Sequence, residues 1–282
     1  MEAIKRPLRY LLRGIVRAFP IRGRFRLVKI VAPSLKPPPD ELFQLNGVNL
    51  KLDHDLFFHQ LIYYGLYEVP LVNFLKRQLR PGDVVLDPGA NIGYISAVCL
   101  GFVGPTGHVH SFEPSPTANH RIRQYNDIAS HGNWSLWDSA LTDHEGHEVF
   151  NDTPRVMRAG YAALASVATP KDSMPHEVEV TTVDGFCARE GIGHVRFLKL
   201  DVEGSELPAL HGAKRMIANG AIDIIMVETN VQEGHHRKQA QAIDDLLRAA
   251  GYASHHVLTN GTVGPLDVMK EVSYREDVIW MR

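Results

Sequence analysis

The residues best suited to chemistry lie in a short turn that follows an apolar segment. Residues 83–93 read Asp-Val-Val-Leu-Asp-Pro-Gly-Ala-Asn-Ile-Gly, and a helix is predicted to begin at Tyr94. Gly89 and Gly93 let the main chain pass close to a ligand, and the first turn of the helix offers free N–H groups. A strand, a glycine-bearing turn and a helix in this order are typical of a site for a nucleotide-type cofactor.

The spacing of this turn distinguishes between classes of cofactor. It reads Asp-x-Gly-x-x-x-Gly from Asp87 to Gly93, whereas dinucleotide-binding enzymes carry Gly-x-Gly-x-x-Gly. An acidic residue at the end of the strand suits a cationic ligand better than a pyrophosphate. S-adenosylmethionine carries an ammonium and a sulfonium group, so we predict it as the cofactor and disfavour a nicotinamide dinucleotide.

Acidic residues at later strand ends extend the predicted cofactor site. Glu113 ends the second strand, 26 residues after Asp87, where a carboxylate can accept hydrogen bonds from both ribose hydroxyls. Asp138 ends the third strand and is predicted to accept from the adenine amino group, with Ala140 against the ring. Asn91 stands in place of a third glycine and can add a side-chain hydrogen bond. The alternative for each acid is a solvated strand end without a ligand.

Two further strands end in groups that suit the transfer of a methyl group. Asp201 follows an apolar strand, and the alternation of an extended chain puts Glu203 on the same side. Methyl transfer is an in-line displacement, so the protein mainly aligns the acceptor, and a hydroxyl acceptor gains from a base. We predict Asp201, Glu203 and Glu228 as the catalytic residues, with Asp201 as the base or acceptor anchor. The alternative for Glu203, together with Glu206, is to cap the N-terminus of the next helix, and Lys199 is expected to pair with a strand-end acid.

A divalent cation is a secondary hypothesis at the same strand ends. Glu228 and Asn230 follow the fifth strand and, with Asp201, offer oxygen ligands of the kind that Mg²⁺ prefers. Three residues are a narrow basis for a site, so we assign no metal ligand.

The elements that must position these residues alternate along the chain. A hairpin is predicted around 42–52, a helical segment over 55–79, and a hairpin with a substrate-side loop within 143–180. Strands are predicted at 83–87, 107–112, 134–138, 195–200, 222–227, 252–258 and 277–281. Further helices are predicted at 94–102, 116–130, 206–218 and 236–250. This alternation predicts an α/β fold with a Rossmann-like, doubly wound, mostly parallel seven-stranded sheet and helices on both faces. Ligands of such sheets bind beyond the carboxyl ends of the strands, where the acids fall.

Length and composition limit the class of protein. A chain of 282 residues can form one large α/β domain with an extension. A net charge of −2 gives no general attraction to nucleic acid, which we exclude as a partner. Cys99 and Cys187 match no metal or disulfide spacing, so the cytoplasm is the expected location. No run of 18 apolar residues is present, and a membrane-spanning helix is not expected.

The N-terminal segment differs from the rest in charge. Residues 1–36 hold ten Lys or Arg and one acidic residue. A helical projection puts apolar side chains on one face and arginines on the other: Ile4, Leu8, Leu11, Leu12, Ile15 and Phe19 against Arg6, Arg9, Arg13 and Arg17. A basic amphipathic helix is typical of peripheral contact with an anionic membrane, here the inner face. The alternatives are a helix packed on the domain with a solvated basic face, and a transit peptide.

A proline-rich stretch separates this helix from the remainder. Residues 33–40 contain three consecutive prolines and are predicted to form a linker. The chain is therefore divided into an N-terminal helix and linker over residues 1–40 and a cofactor-binding domain over residues 41–282.

The chain resembles the FkbM-type methyltransferases, S-adenosylmethionine-dependent enzymes with the class I, Rossmann-like fold. The matches follow the family's order over about residues 55–282, and the Lys-x-Asp-x-Glu-Gly-x-Glu segment is the most specific. The matching segments are Gly65-Leu-Tyr67-Glu68, residues 81–94, Phe112-Glu113-Pro114, residues 140–143, Thr182-Val-Asp184, residues 198–206 and Val227-Glu228. Pro88 departs from the usual small β-branched residue, and Asp138 stands where Asn is common.

The resemblance implies O-methylation, often of a sugar or polyketide hydroxyl, and Glu68 is expected to close over the cofactor. The predicted cofactor-binding residues are Glu68, Asp87, Gly89, Ala90, Asn91, Gly93, Tyr94, Glu113, Pro114, Asp138, Ala140 and Asp201. We expect a small-molecule, glycan or glycolipid acceptor. The alternatives are an N-methyltransferase or small-metabolite methyltransferase of the same fold, and a non-catalytic, membrane-docked cofactor-binding module. Neither the acceptor nor the oligomeric state follows from the sequence.

Overall fold

The computed structural model describes residues 2–18, 23–152, 163–164, 173–232, 234–272 and 275–282. Phe19 and most of the predicted substrate-side loop lie outside these ranges. The α-helices are α1 (Glu2–Ala18), α2 (Arg24–Val31), α3 (Phe57–Tyr64), α4 (Val69–Gln78), α5 (Tyr94–Val103), α6 (Pro116–Tyr125), α7 (Val183–Arg189), α8 (Glu206–His211), α9 (Lys214–Ala218), α10 (His235–Ala249) and α11 (Val268–Glu271). Short 3₁₀ helices follow α2 and α6, at Ala32–Leu35 and Ile128–Ser130.

The strands form three sheets. They are β1 (Phe43–Leu45), β2 (Val48–Leu50), β3 (Val84–Pro88), β4 (His108–Phe112), β5 (Trp134–Trp137), β6 (Ser139–Leu141), β7 (Gly146–Asp152), β8 (Ala163–Leu164), β9 (Met174–Thr181), β10 (Val195–Leu200), β11 (Ile222–Asn230), β12 (Ala253–Val257), β13 (Val263–Pro265) and β14 (Arg275–Met281). β1 and β2 form the predicted hairpin, in which Asn46 and Gly47 both have positive φ. A turn of this type matches the twist of the two strands.

The main sheet has the order β13-β12-β14-β11-β10-β3-β4-β5. The five strands from β11 to β5 are parallel, and β14 runs antiparallel between β11 and β12. This arrangement confirms the predicted doubly wound, mostly parallel, Rossmann-like sheet. The sheet has eight strands rather than the seven expected, because β13 folds back on β12 through a turn at Gly261, which has a φ of 80°. The dipeptide Asn260-Gly261 before β13 is a turn signal of the same kind as Asn46-Gly47, and the sequence analysis missed it.

Both faces of the sheet are apolar and buried. Successive strand residues such as Val85 and Leu86 enter two different hydrophobic clusters, one on each face. The first cluster includes residues of α3, α4 and α5, and the second includes residues of α7, α8, α9 and α10. Strands covered on both sides read as continuous apolar runs, which is why the parallel strands were recognisable in the sequence.

Two segments that the sequence analysis treated as single helices are each broken. The segment over 55–79 divides into α3 and α4 because Gly65 and Glu68 have φ values of 71° and 48°. The segment over 206–218 divides into α8 and α9 near Gly212, where a Cβ atom would lie 2.0 Å from the carbonyl oxygen of Thr142. A helix break with positive φ at a non-glycine residue is uncommon and draws attention to Glu68.

A second sheet lies next in the chain after β5. It has the order β6-β9-β7-β8, with β7 and β9 antiparallel to each other. The predicted hairpin within 143–180 is therefore present. β6, which continues from the edge strand β5 after Asp138, carries the residues predicted to contact an adenine ring.

The N-terminal helix α1 packs on the domain against α3 and the first 3₁₀ helix. Leu12 and Val16 are buried, and so is Arg9, whose Nη2 lies 3.5 Å from Oε2 of Glu41. Arg9 was assigned to the solvated face but lies on the packed face. Its charge can be buried there because Glu41 and the carbonyl oxygen of Lys36 interact with it. Helix α2 was not predicted. Within the described ranges, none of the helices combines the length and apolar character needed to cross a membrane.

Candidate cofactor and acceptor site

A cavity of about 540 Å³ lies at the carboxyl ends of β3, β4, β10 and β11. This is the edge at which a doubly wound sheet binds its ligands. Most of the predicted site residues line it: Glu68, Asp87, Gly89, Ala90, Asn91, Tyr94, Glu113, Pro114, Ala140, Asp201, Glu203 and Glu228. The cavity therefore brings together residues that are far apart in the sequence.

Gly89 fixes the shape of the turn after β3. Its φ is 76°, and a Cβ atom added there would lie 2.1 Å from the carbonyl oxygen of Asp201. No side chain fits at that distance, so the turn at the end of β3 passes directly over the end of β10. The neighbouring residue Asn91 also has a positive φ, of 53°.

Glu113 is held by main-chain amides. Its Oε2 accepts from the N–H of Asn91 at 2.6 Å, and its Oε1 accepts from the N–H of Ser115 at 2.9 Å. The side chain is buried, and burial raises the pKa of Glu113 to about 7, although the two amides act in the opposite direction. Each oxygen keeps a lone pair, so the carboxylate can still accept from a ligand diol.

The side chain of Lys199, from β10, lies between the carboxylates at the ends of β3 and β10. Its Nζ is 3.6 Å from Oδ1 of Asp87 and 3.2 Å from Oδ2 of Asp201. Burial alone would lower the pKa of Lys199, but the two carboxylates outweigh it and raise this pKa. Lys199 is therefore a buried cation that pairs with strand-end acids, as predicted, and it fixes the position of Asp201.

Asp87 is itself anchored on its other side. Its Oδ2 accepts from the hydroxyl of Ser96 at 2.5 Å, and Ser96 contacts Ser111, which accepts from the indole of Trp134. Its Oδ1 is buried and faces the ammonium of Lys199 at 3.6 Å, beyond normal hydrogen-bond distance. Asp87 is therefore held from both sides at the edge of the cavity.

Three carboxylates form a cluster on the side of the cavity near β10 and β11. Oxygen atoms of Asp201, Glu203 and Glu228 all lie within 4.8 Å of one another. Glu203 has a φ of 51°, which turns the chain sharply after β10. Asn230, the third ligand of the Mg²⁺ hypothesis, instead accepts from the N–H of Gln232 at 3.0 Å.

Glu206, which was also considered as a helix cap, has a structural role in the loop before the helix. Its Oε1 accepts from the N–H groups of Val202 and Gly204, both at 3.1 Å, and the side chain is buried. Glu206 thus stabilises the loop before α8. Glu203 instead lines the main cavity, and it also lines a smaller cavity of about 190 Å³ next to it, together with Glu228.

Glu68 reaches the same site from the helix break between α3 and α4. It lines the cavity, and burial together with the nearby charge of Asp201 raises its pKa. The preceding residue, Tyr67, accepts a hydrogen bond from the hydroxyl of Tyr94 through its carbonyl oxygen at 3.3 Å. The rings of Tyr67 and Tyr94 also contact each other, with centroids 5.5 Å apart. This contact ties the helix break to the start of α5.

Two predicted cofactor residues do not line the cavity. Asp138 is exposed and pairs with Arg123, whose Nη2 lies 2.5 Å from its Oδ1. The adenine role assigned to Asp138 is therefore not supported by its position; Ser139 and Ala140 line the cavity in its place. Gly93 is the N-cap residue of α5 and has a φ of 81°, so its role is to start the helix.

Other lining residues were missed by the sequence analysis. Asp152, at the end of β7, accepts from the hydroxyls of Ser115 and Thr117, both at 2.9 Å. It therefore connects the second sheet to the loop that holds Glu113. Further lining residues that were missed lie on α3, α4, α6 and the second sheet: Phe58, Ile62, Leu71, Ala118, Arg121, Phe150 and Leu164. No spacing signal marks them, because they meet only through the tertiary fold.

Comparison with known proteins identifies the family. The sequence profile described as "Methyltransferase FkbM domain" matches residues 87–254, which is more than half of the chain. The chain belongs to the FkbM methyltransferase family. The match begins at Asp87 and covers Glu113, Asp201 and Glu228, so the strand ends of the cavity lie inside the family domain.

Two curated relatives and one solved structure illustrate the similarity. The chain is 29% identical over 162 residues to the 31-O-demethyl-FK506 methyltransferase FkbM of Streptomyces tacrolimicus, which is 49% of this chain. It is 25% identical over 163 residues, 57% of this chain, to the hexuronic acid methyltransferase AglP of Haloferax volcanii. Both matches span 62% of the relative. Methyltransferase FkbM of Methylobacillus flagellatus aligns with a TM-score of 0.44 and 16% identity, over 80% of this chain and 54% of that chain.

Proposed function

We propose that this protein is an S-adenosylmethionine-dependent O-methyltransferase that acts on a hydroxyl of a sugar, a glycolipid or a related metabolite. The observation that carries the proposal is the turn at Gly89. It is packed against the end of β10 with no room for a side chain, and a carboxylate held by two amides stands at the end of the next strand. Family membership supports the same chemistry.

The residues present fit this cofactor. Glu113 would accept from the ribose hydroxyls, and Ser139 and Ala140 would lie along the base. Asp87 and Glu68 line the cavity and supply carboxylates where the cationic amino-acid part would bind. When bound, S-adenosylmethionine supplies a methyl group on a good leaving group, so the protein needs chiefly to orient the acceptor.

Asp201 is the residue that we assign to the acceptor. Lys199 holds its carboxylate at 3.2 Å, and Glu203 and Glu228 lie close by. A hydroxyl that donates to Asp201 would be oriented by it and would lose its proton to it during methyl transfer. Glu203 and Glu228 would contact further hydroxyls of the acceptor, which suits a polyhydroxylated molecule better than an isolated alcohol.

Two further observations support a sugar-like acceptor. The rings of Phe58, Tyr67 and Tyr94 adjoin one another along the cavity, with centroids 5.9 Å and 5.5 Å apart, and aromatic faces pack well against the C–H faces of sugar rings. One relative is named for a hexuronic acid and the other for an O-linked position of FK506. We place the protein in the cytoplasm, where reducing conditions suit the buried free thiols of Cys99 and Cys187.

The experiment that tests this function is a methylation screen with the purified full-length chain. S-adenosylmethionine is supplied with uronic acids, neutral sugars, polyketide alcohols and matched amines, and S-adenosylhomocysteine formation is followed. The proposal predicts product only with hydroxyl acceptors, with the new methyl group on oxygen by NMR. Methylation of the amines instead would identify an N-methyltransferase, and no turnover with any acceptor despite cofactor binding would favour a non-catalytic module.

A further inference from the structure

The N-terminal helix leaves an apolar stripe uncovered. Ile4, Leu8 and Leu11 are 69%, 45% and 60% exposed, although α1 is packed on the domain. At 100° per residue these three side chains fall within a sector of about 60°. Leu12 and Val16, the residues that do pack, lie in the adjoining sector, whose centre is about 90° away. The packing of α1 therefore does not account for its apolar face.

The neighbouring helix α2 repeats this arrangement. Its buried side packs through Val28, whereas Phe25 and Ile30 on the outer side are 46% and 66% exposed. Arg26 and Lys29 lie between these two apolar residues on the same outer side, and both are exposed. Exposed large apolar residues on two consecutive helices are more than the scattered single residues that a surface normally carries.

The charge of the segment identifies the kind of surface it would meet. Residues 1–36 contain ten Lys or Arg and one acidic residue, whereas the whole chain has a net charge of −2. Arg26 and Lys29 of α2 are exposed between its apolar side chains, whereas Arg6 and Arg17 are exposed on the opposite face of α1. Long basic side chains can lie along an apolar surface and extend their charged ends to anionic groups. This combination matches the boundary between lipid headgroups and acyl chains.

We propose that the outer faces of α1 and α2 dock on an anionic lipid bilayer, with Ile4, Leu8 and Leu11 inserted at the headgroup boundary. The packed contacts of Leu12, Val16 and Arg9 remain in place, so docking requires no release of the helix from the domain. The same helix thus satisfies both earlier alternatives, one through each face. The bilayer is the chosen occupant because the exposed apolar residues are accompanied by exposed cations, Arg26 and Lys29, in a segment with a strong excess of positive charge.

The position of this surface also bears on the active site. Helix α3 packs against α1 and α2, and it contributes Phe58 and Ile62 to the wall of the cavity. One helix therefore separates the docking surface from the site. A bilayer in contact with α1 would hold a lipid-linked acceptor near the cavity, an expectation that rests on the proposed function, whereas docking itself does not.

The test uses the full-length protein and vesicles of two compositions, phosphatidylcholine alone and phosphatidylcholine with phosphatidylglycerol. We expect co-sedimentation with the anionic vesicles at low salt, and a loss of binding as ionic strength rises. The double variant Ile4→Ser, Leu11→Ser should bind at least about tenfold more weakly, because two inserted apolar side chains are removed. Arg26→Gln with Lys29→Gln should weaken binding to the anionic vesicles and flatten its salt dependence.

A matched control separates the proposed surface from general hydrophobicity. Val149 and Leu258 are 43% and 45% exposed in other parts of the structure, and their double replacement by Ser should leave vesicle binding unchanged. Thermal unfolding of each variant confirms that the fold is kept.

The proposal is overturned if the parent stays in the supernatant with anionic vesicles at low salt, or if Ile4→Ser, Leu11→Ser binds as the parent does. If the parent protein self-associates in the absence of vesicles, and Ile4→Ser, Leu11→Ser abolishes that self-association, the face binds a second copy of the chain instead.

Discussion

The two sides of the cavity, to which we assign the cofactor and the acceptor, are built in different ways. On the cofactor side, Gly89 is packed against a main-chain carbonyl and the carboxylate of Glu113 accepts from two amides. On the acceptor side, Asp201, Glu203 and Glu228 are half-buried side chains gathered at the ends of two strands. The first half depends on backbone geometry that permits few residue types, whereas the second depends on side chains that extend into open space.

The two sides should therefore differ in their tolerance of substitution. A turn that passes within van der Waals contact of β10 leaves no room for an added atom at Gly89. Half-buried carboxylates are expected to be replaced at lower cost to the fold, although loss of the Asp201 charge removes one partner of the buried Lys199. We therefore expect substitutions on the cofactor side to reduce cofactor binding, and substitutions on the acceptor side to reduce turnover.

The largest effect is expected from Gly89→Val. A side chain at this position would begin 2.1 Å from the carbonyl oxygen of Asp201, so the turn must move and the cofactor cradle is lost. We expect S-adenosylhomocysteine affinity to fall by at least about 10²-fold, with a lower melting temperature. Gly132→Ala is the matched control, since a Cβ atom there meets no heavy atom within 4 Å. Calorimetric titration that finds equal affinity in the two variants would show that the turn does not form the site.

The second largest effect is expected from Asp201→Asn, which keeps the shape of the side chain and removes its charge. Turnover should fall by about 10²-fold or more, as expected for loss of a general base. Cofactor binding should stay near normal, because Gly89 contacts the main chain of residue 201 and not its side chain. Parallel measurements of kcat and of S-adenosylhomocysteine affinity test this separation. A parent-like kcat with the true acceptor would transfer the catalytic role to Glu203, Glu228 or Glu68.

A smaller effect, on binding alone, is expected from changes at Glu113. Glu113→Ala should weaken S-adenosylhomocysteine binding at least about tenfold, because the ribose hydroxyls lose a charged acceptor. Since burial raises the pKa of Glu113 to about 7, we also expect the affinity of the parent to rise with pH through that value. Glu113→Gln should remove this pH dependence. Calorimetric titrations with S-adenosylhomocysteine at several pH values around 7 test this. If the affinity of Glu113→Gln still changes with pH, Glu113 is not the origin of the pH dependence.

The same shift predicts how stability changes with pH. The folded-state pKa of Glu113 lies above its ordinary value of 4.5, so the folded protein holds a proton that the unfolded chain releases. Its contribution to the free energy of unfolding is fully present below about pH 4.5 and is lost as the pH rises through about 7. Melting temperatures of the ligand-free parent should therefore fall more over this range than those of Glu113→Gln. Parallel curves for the two proteins would contradict the shift.

The smallest effects are expected from metal removal and from Asp138→Asn. Lys199 already places a positive charge 3.2 Å from Asp201, so we expect dialysis against EDTA to leave activity unchanged. Activity that EDTA abolishes and Mg²⁺ restores, with a weakened response in Glu228→Gln, would establish the metal route instead.

Asp138→Asn tests the boundary of the site. Because Asp138 is exposed and paired with Arg123, cofactor affinity should change by less than about twofold, the usual scale for a surface ion pair. A tenfold loss of cofactor affinity would instead support the contact with the adenine amino group that the sequence predicts for Asp138.

The sequence predicted the sheet, and it also predicted most of the residues that line the cavity, because apolar strands followed by glycine or an acid are local patterns. The side chain of Asp138 pairs with Arg123 outside the cavity, since a strand-end position does not determine the direction of a side chain. Asp152 and Phe58 were missed because they reach the cavity from other elements, through contacts that no local pattern records.

The central claim, that the cavity at the end of β3 binds an S-adenosyl ligand, is tested most directly by calorimetric titration of the full-length protein with S-adenosylhomocysteine and with NAD. We predict one site with micromolar affinity for S-adenosylhomocysteine, lost in Gly89→Val and kept in Gly132→Ala, and no heat of binding with NAD. Tight binding of NAD together with no response to S-adenosylhomocysteine would contradict the account.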